Sequence, residues 1–377
     1  MLKLILKKVM ITLFLIIGIL FISYLLFTNF YPSFGADISK KRQQKYALSN
    51  QFRNGIFNNT SAVPENLGFT KTVSLAYTYF TTKVPNSRPK LDLKVIKLDS
   101  SIVANYTNEA RMVWFGHSSF LLQIAGKNIL LDPMFGDVAA PHPLLGAPRF
   151  NKRMPLALES LPQIDAVLFS HDHYDHLDYE TIIKLKNKVT HFYVPLGVGA
   201  HLEAWGVATD NITELDWWEE IALDNLTLIC TPAQHFSGRK FNNKQSTLWS
   251  SWVIKSDTES IFFSGDSGYG SHFKSIGEKY GPFDLALLEC GQYNEMWPDI
   301  HMMPEETAQA ALEIKAEKMM PIHWGGFKLA LHEWTDPVVR LQIKASELNV
   351  NIITPKIGES IPVKDNLRTY DNWWEGF

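Results

Sequence analysis

"LFSHDHYDHLDYE", residues 168–180, closes the apolar run "IDAVLFS" and carries three histidines and three aspartates within eight positions, His171 to Asp178. The chain of 377 residues has only twelve histidines. The apolar run reads as a strand, so His171, Asp172, His173, Tyr174, Asp175 and His176 occupy the loop at its carboxyl end. Alternate residues of extended or turning backbone project to one side, which lets His171 and His173 face one centre while Asp175 and His176 reach round to another. Imidazole nitrogen and carboxylate oxygen suit zinc, and also manganese or iron, in hydrolytic sites. A lone histidine in a turn is ordinarily solvated or hydrogen-bonded, whereas this spacing is a ligand pattern.

Three other strand ends carry the same donor types. "LTLICTPAQH" ends at His235, "SIFFSGDSG" exposes Asp266 just past its apolar residues, and "KMMPIHWGG" presents His323. Taken singly, His235 reads as a buried hydrogen-bonder, Asp266 as a turn former beside Gly265 and Gly268, and His323 as part of an aromatic core with Trp324. Taken together, they are hard to explain by packing. Uncompensated imidazoles and carboxylates crowded into a core cost several kcal/mol or shift their ionisation, and a dication neutralises the clustered charge.

Around these positions, from Arg111 onward, short runs rich in Val, Ile, Leu, Phe and Trp end in polar or glycine-rich turns, the texture of strands buried on at least one face. Segments with helical spacing interleave with them. Among these, "LDYETIIKLKNK" precedes a strand, and "PEETAQAALEIKAEK" has Pro304 and two glutamates in its first turn and lysines near its end, which suits the helix dipole. Interleaved strands and helices predict an α/β layered domain over 110–377. Residues 31–109 are mixed and polar without a sustained period, and read as a tether plus a surface segment.

The pattern "HDHYDH" followed in order by His235, Asp266 and His323 resembles the metallo-β-lactamase superfamily, from about Val113 to Trp334. The resemblance implies an αββα sandwich with metals at one edge, between the sheets. Within that superfamily the chain is similar to the enzymes that hydrolyse N-acyl-phosphatidylethanolamines in the phospholipase D manner and to their bacterial relatives. "WFGHSSFLL", "LLDPMFGD", "SHDHYDHLD", "LDWWEE", "TPAQHFSGR", "FSGDSGY" and "HMMPEETAQAALEIKAEKMMPIHWGGF" carry this likeness. It implies two divalent ions, Zn2+ being expected, with His171, His173 and His235 on the first, Asp175, His176 and His323 on the second, and Asp266 bridging them. His301 matches a histidine near the reacting phosphate, so Asp266, Asp175 and His301 form the implied catalytic set. The implied reaction is attack of hydroxide, generated between the metals, on the phosphorus of a phospholipid diester, releasing phosphatidate. Asp132 is a candidate acceptor for a ligand imidazole or a turn cap, and His117 is expected to hydrogen-bond across the sheet edge.

The amino terminus bears on substrate. Residues 9–30, "VMITLFLIIGILFISYLLFTNF", are uncharged, and a helix of that length crosses a hydrocarbon core of about 30 Å. Lys3, Lys7 and Lys8 precede it within the basic residues 1–8, and no small-x-small cleavage site follows, so an uncleaved single-pass anchor with an extracytoplasmic catalytic body is expected. The anchor makes the bilayer a partner and a membrane phospholipid the expected substrate. Nucleic acid is not expected: the formal net charge is −3, and no basic patch interleaved with aromatics stands out. Other readings of the same donors are hydrolysis of a soluble lactone or nucleotide diester, or a metal-stabilised envelope protein without turnover. Cys230 and Cys290 read as buried free thiols, and the pairs in "DWWEE" and "DNWWEGF" as core packing.

Overall fold

Period-two alternation along the apolar runs builds two sheets back to back. In the strand Phe120–Ile124, Phe120, Leu122 and Ile124 join one core while Leu121 joins a second. In Ser260–Phe263, Ile261 and Phe263 join the first core and Phe262 a third. Both faces of each sheet are therefore apolar and both are covered, giving the layers helix, sheet, sheet, helix. The structure is a computed structural model and describes residues 1–61, 68–107, 109–365 and 368–377.

A small hairpin, β1 (Phe52–Arg53) and β2 (Ile56–Phe57), precedes the sandwich. The first large sheet holds β3 (Arg111–Trp114), β4 (Phe120–Ile124), β5 (Lys127–Leu131), β6 (Ile164–Leu168), β7 (Val189–Pro195), β8 (Ile212–Leu215) and β15 (Ser360–Pro362), in the order β15-β3-β4-β5-β6-β7-β8. The second holds β9 (Glu220–Leu223), β10 (Leu226–Thr231), β11 (Ser251–Lys255), β12 (Ser260–Phe263), β13 (Leu285–Glu289) and β14 (Met319–Ile322), in the order β14-β13-β12-β11-β10-β9.

Helices follow the apolar faces. A long apolar α1 (Leu2–Phe30) is followed by α2 (Lys40–Tyr46), α3 (Gly68–Thr81) and the short α4 (Ser100–Ala104). Helices α5 (Tyr179–Leu185) and α6 (Gly199–Ala204) place Ile182, Leu185 and Leu202 against the outer face of the first sheet. Helices α7 (His272–Tyr280), α8 (Pro304–Glu313) and α9 (Asp336–Leu348) cover the second, through Phe273, Ile276, Ala308, Ala311 and Leu341. Helix α5 starts where Asp178 Oδ2 accepts from Thr181 N at 2.9 Å. Helix α8 begins at Pro304 but stops at Glu313, short of the lysines expected in its last turn: Lys315 takes a left-handed φ of 59°. Those lysines therefore follow the helix rather than cap it.

Strand direction decides where the chemistry lies. Strands β5 and β6 run parallel. Strands β10 and β12 are both antiparallel to β11 and so share a direction, and β12, β13 and β14 are mutually parallel. The loops after β6, β10, β12 and β14, which bear the candidate ligands, leave from one edge of the sandwich. Trp252 joins the two sheets there, buried in the shared core with its indole nitrogen donating to Phe169 O at 2.8 Å.

The stretch expected as a tether plus a surface segment lies on the domain and also sends side chains into its core. Phe34, Tyr46 and Phe57 are buried, Arg42 bonds to Glu203 and Glu214, and Leu93 joins the main core. Its polar composition concealed this because a few aromatic anchors do the packing. Residues 62–67 and 108 of it lie outside the described residues. The expected core packing is found for three of the four paired tryptophans: Trp217 and Trp374 are buried, and Trp373 and Trp374 pack on Trp324, next to His323, whereas Trp218 is 37% exposed. Both cysteines are buried and free. Truncating Trp252 to alanine removes core volume and a bond between the sheets, so denaturant unfolding is expected to show a loss of about 3–5 kcal/mol.

Candidate metal centre

The loop after β6 turns tightly, with His176 N and Leu177 N both donating to His173 O. This coils His171, His173, Asp175 and His176 round a point between the sheets. On the opposite wall, Gly265 brings the "FSGDSG" turn close: its φ is 57°, and a Cβ there would sit 2.5 Å from Ser170 Cβ and 2.8 Å from Ser250 O. Only glycine permits that approach, and it delivers Asp266 into the histidine loop. His117, Asp132 and His323 also hold positive φ, at 55°, 37° and 66°, a strain worth roughly 1–3 kcal/mol each that neighbouring bonds must offset.

All seven expected ligands meet. His173 Nδ1 lies 2.9 Å from His171 Nε2 and 3.2 Å from His235 Nε2. Asp266 Oδ2 lies 3.7 Å from His171 Nε2, 3.8 Å from His235 Nε2 and 3.1 Å from His176 Nε2, while its Oδ1 lies 3.1 Å from His323 Nδ1. Asp175 Oδ2 is 3.4 Å from His176 Nε2 and 3.9 Å from His323 Nδ1. Among the described residues, four overlapping groups have donor atoms within 4.8 Å of one another, and two of them take in all seven expected ligands: His171, His173, His235 and Asp266, and His117, Asp175, His176 and His323; the others are Asp132, His171 and His176, and Asp266, His301 and His323.

The outer bonds of three imidazoles aim their lone pairs inward. His235 Nδ1 donates to Ile300 O at 2.9 Å. His176 Nδ1 donates to Asp132 Oδ2 at 2.6 Å. Ser170 Oγ donates to the same Asp132 oxygen at 2.5 Å and accepts from His171 Nδ1 at 2.9 Å. Each Nε2 therefore faces the site as an acceptor, the arrangement of a metal ligand. Asp132 acts here as the acceptor behind the ligands, the first of the two roles expected for it. His176 Nε2 and Asp266 Oδ1 are buried with no hydrogen-bond partner in the protein. Acceptors turned on one another at such distances repel, and a cation placed among them would relieve this, so the residues fit a metal.

Burial, followed by the charge of adjoining imidazoles, holds His171 and His235 well below the ordinary imidazole range. Burial also lowers His173, to about 4. Neutral imidazole is the form that binds metal, so these ligands stand ready at neutral pH. Burial pushes Asp266 up to about 7, with the nearby Glu289 acting in the same direction. Burial thus disfavours the bare Asp266 carboxylate until a cation arrives.

His301 stands at the rim, its ring 5.1 Å from that of His235 and stacked 5.3 Å from that of His323. Its Nδ1 meets Glu289 Oε1 at 2.6 Å, and Glu289 Oε2 accepts from Ser267 N at 2.8 Å. Glu289 escaped the sequence reading; the signal was an acid closing the otherwise apolar strand "LALLE". His117, expected to bond across the sheet edge, does so through its backbone, its carbonyl accepting from His323 N at 3.3 Å, but its ring also meets Asp175 Oδ2 at 2.9 Å. Asn59 was missed as well: it exchanges bonds with the backbone of His235, at 2.8 and 3.1 Å, from within the supposed tether.

Residues 127–324 match the family model described as a β-lactamase superfamily domain. The chain belongs to the metallo-β-lactamase superfamily. It is 45% identical over 265 residues to the uncharacterized protein Rv0906 of Mycobacterium tuberculosis, covering 69% of this chain and 70% of that one. It is 33% identical over 233 residues to N-acyl-phosphatidylethanolamine-hydrolyzing phospholipase D 1 of Caenorhabditis elegans, covering 59% and 65%. The solved structure of Igni18, a metallo hydrolase from Ignicoccus hospitalis, shares the fold at a TM-score of 0.51 and 22% identity, over 67% of this chain and 98% of that one. The chain is thus a metal-dependent hydrolase with a histidine–aspartate cluster that can bind metal.

Asp132 supports two ligands of this hydrolase at once. Asp132→Asn keeps its shape but removes the anionic acceptor behind His176 and Ser170, and is expected to weaken metal affinity about 10–100-fold in competition with a chelator. Unchanged affinity in a folded variant would show that Asp132 does not orient the ligands.

Proposed function

We propose that the chain is a binuclear phosphodiesterase that hydrolyses an N-acyl-phosphatidylethanolamine-type phospholipid in the phospholipase D manner, releasing phosphatidate. The observation that carries this is the division of the donors into two groups with one shared carboxylate. His171, His173 and His235 would hold one ion, Asp175, His176 and His323 the second, and Asp266, which contacts both groups, would bridge them. The all-imidazole and carboxylate donor set favours Zn2+. Bound there, the ions supply Lewis acidity to a phosphoryl oxygen and lower the pKa of water.

The chain's own residues do the rest. Asp266 orients the attacking water as well as binding the ions. Asp175 is steadied by the His117 ring, which meets Oδ2, the same oxygen that faces His176 and His323. His301 lies at the rim with Nδ1 fixed on Glu289, which leaves Nε2 available to give a proton to the leaving oxygen. Burial raises the Glu289 carboxyl and lowers His301, so the pair favours sharing one proton over carrying two charges.

The similarity to the Caenorhabditis elegans phospholipase D supports the lipid class, and helix α1 supports a membrane setting. Residues 3–30 form a helix apolar enough to cross a bilayer, with a mean hydropathy of 2.8 over an 18-residue window. That length and composition fit an anchor or a signal sequence. We read it as an uncleaved single-pass anchor with the catalytic body extracytoplasmic; the residues just after it are bonded into the domain. Trp205 Nε1 donates to Pro32 O at 2.7 Å, and Arg239 Nε to Ser33 O at 2.8 Å.

Full-length protein loaded with zinc and mixed with N-acyl-phosphatidylethanolamine vesicles is expected to yield phosphatidate and N-acylethanolamine. Asp266→Asn is expected to lower turnover by about 100-fold or more with the fold intact, because it weakens both the hold on the ions and the orientation of the attacking water. Absence of turnover by the metal-loaded parent would overturn the lipid assignment, and hydrolysis of a small lactone in its place would favour a soluble substrate.

A further inference from the structure

Apolar side chains scattered singly over a surface are ordinary, but three of the most exposed ones here are gathered beside α1. Leu144 is 86% exposed, Leu145 61% and Phe241 84%. The Phe241 ring lies 6.2 Å from that of Tyr24 in α1. Leu144 and Leu145 end the 3-10 turn Pro143–Leu145, whose N-cap residue, His142, packs its ring 6.3 Å from that of Phe27 and 5.4 Å from that of Tyr31. The last two turns of α1 thus run alongside the domain.

That contact fixes depth. The uncharged stretch 9–30 has the length of a bilayer core, and Tyr24 lies six residues before its end, roughly 9 Å inside it at 1.5 Å per residue. Anything packed beside Tyr24 is therefore carried to the level of the lipid. The helix is satisfied for that setting: Thr28 Oγ1 donates to Tyr24 O at 3.0 Å and Asn29 Nδ2 to Leu25 O at 2.7 Å.

Both apolar tips belong to loops rooted at the metal centre. Leu144 and Leu145 lie in the segment that follows Asp132, and Phe241 in the segment that follows His235. Between root and tip, Tyr174 donates to Arg239 O at 2.6 Å, and the Arg239 guanidinium bonds to Asp172 O and Ser33 O while lying 4.0 Å over the Tyr174 ring. Where the strap after α1 passes this point, Gly35 has a φ of 69° and a Cβ on it would sit 2.2 Å from His201 Nδ1. The strap is thus pressed against the metal loop.

We infer that Leu144, Leu145 and Phe241 form an apron that dips into the bilayer beside α1, so that the metal-bearing edge faces the membrane and meets its substrate at the leaflet surface. The inference rests on the reading of α1 as a retained anchor. Its occupant is lipid because the apron continues the apolar surface of that helix. It explains why tips this apolar are tolerated on loops that carry the chemistry: in the assembled state water does not reach them. The head group of a lipid in the same leaflet then needs to rise only to the rim held by His301.

The test uses full-length protein in phosphatidylcholine–phosphatidylglycerol vesicles, with an environment-sensitive fluorophore on one introduced cysteine. Cys230 and Cys290 are buried and do not compete for label. The variants are Leu144→Cys and Phe241→Cys, with Ile16→Cys in α1 as the lipid reference and Ile343→Cys, 60% exposed on α9, as the aqueous reference. Each is used when its metal content matches that of the parent. Labels at 144 and 241 are expected to lose fluorescence to nitroxide-bearing lipid, as at 16, and to resist aqueous iodide, unlike at 343. If the label at 16 is quenched by lipid while those at 144 and 241 respond only to iodide, the apron is refuted and the anchor stands. If the label at 16 is also reached only by iodide, the anchor reading falls and the inference with it.

Discussion

Acceptors facing one another in a desolvated pocket set the terms for this molecule. His171, His176 and His235 each have an outer nitrogen committed to an oxygen, so in the neutral form that binds metal their inner nitrogens confront Asp266 and Asp175 with nothing to donate. Such an arrangement costs free energy in an apolar medium and is rational only around a cation. The supporting features follow from that need. Asp132 serves two ligands through one oxygen, Gly265 removes the side chain that would hold the walls apart, and three residues of the site accept left-handed backbone. A two-layered β core, buried on both faces, supplies the rigidity that keeps these groups in place.

Much of this could be read from residue order. The ligand loop after "IDAVLFS" and the single donors after three further apolar runs lie where strand direction places them, because each run alternates cleanly between two buried faces. What escaped the reading had no local signature. Glu289 looks like the polar end of a strand until His301, twelve residues on, is seen resting on it. Asn59 bonds to His235 across 176 residues of chain, a distance no local pattern spans. The polar stretch after α1 hid its packing because Phe34, Tyr46 and Phe57 are spaced without a period, and period is what sequence reading detects. Helix α8 ended early for a similar reason: the left-handed turn at Lys315 is invisible in composition.

The same strap changes the meaning of the amino terminus. A flexible tether would raise only the local concentration of the catalytic body at the bilayer. A strap bonded to Trp205 and Arg239, with Arg239 in turn bonded to the backbone of the ligand loop, also fixes its orientation. On the anchor reading proposed above, anchor, strap and metal loop would form one mechanical unit, with the edge that bears the cluster held at a defined height above the lipid.

The most direct test of the central claim is metal stoichiometry in the full-length protein and in single ligand variants, read by elemental analysis. The account predicts two divalent ions per chain in the parent, about one in His323→Ala with the group of His171, His173 and His235 still filled, and a deeper loss in Asp266→Ala, whose carboxylate touches both groups. A parent holding no metal after loading, or a His323→Ala variant that keeps the full complement, would contradict it.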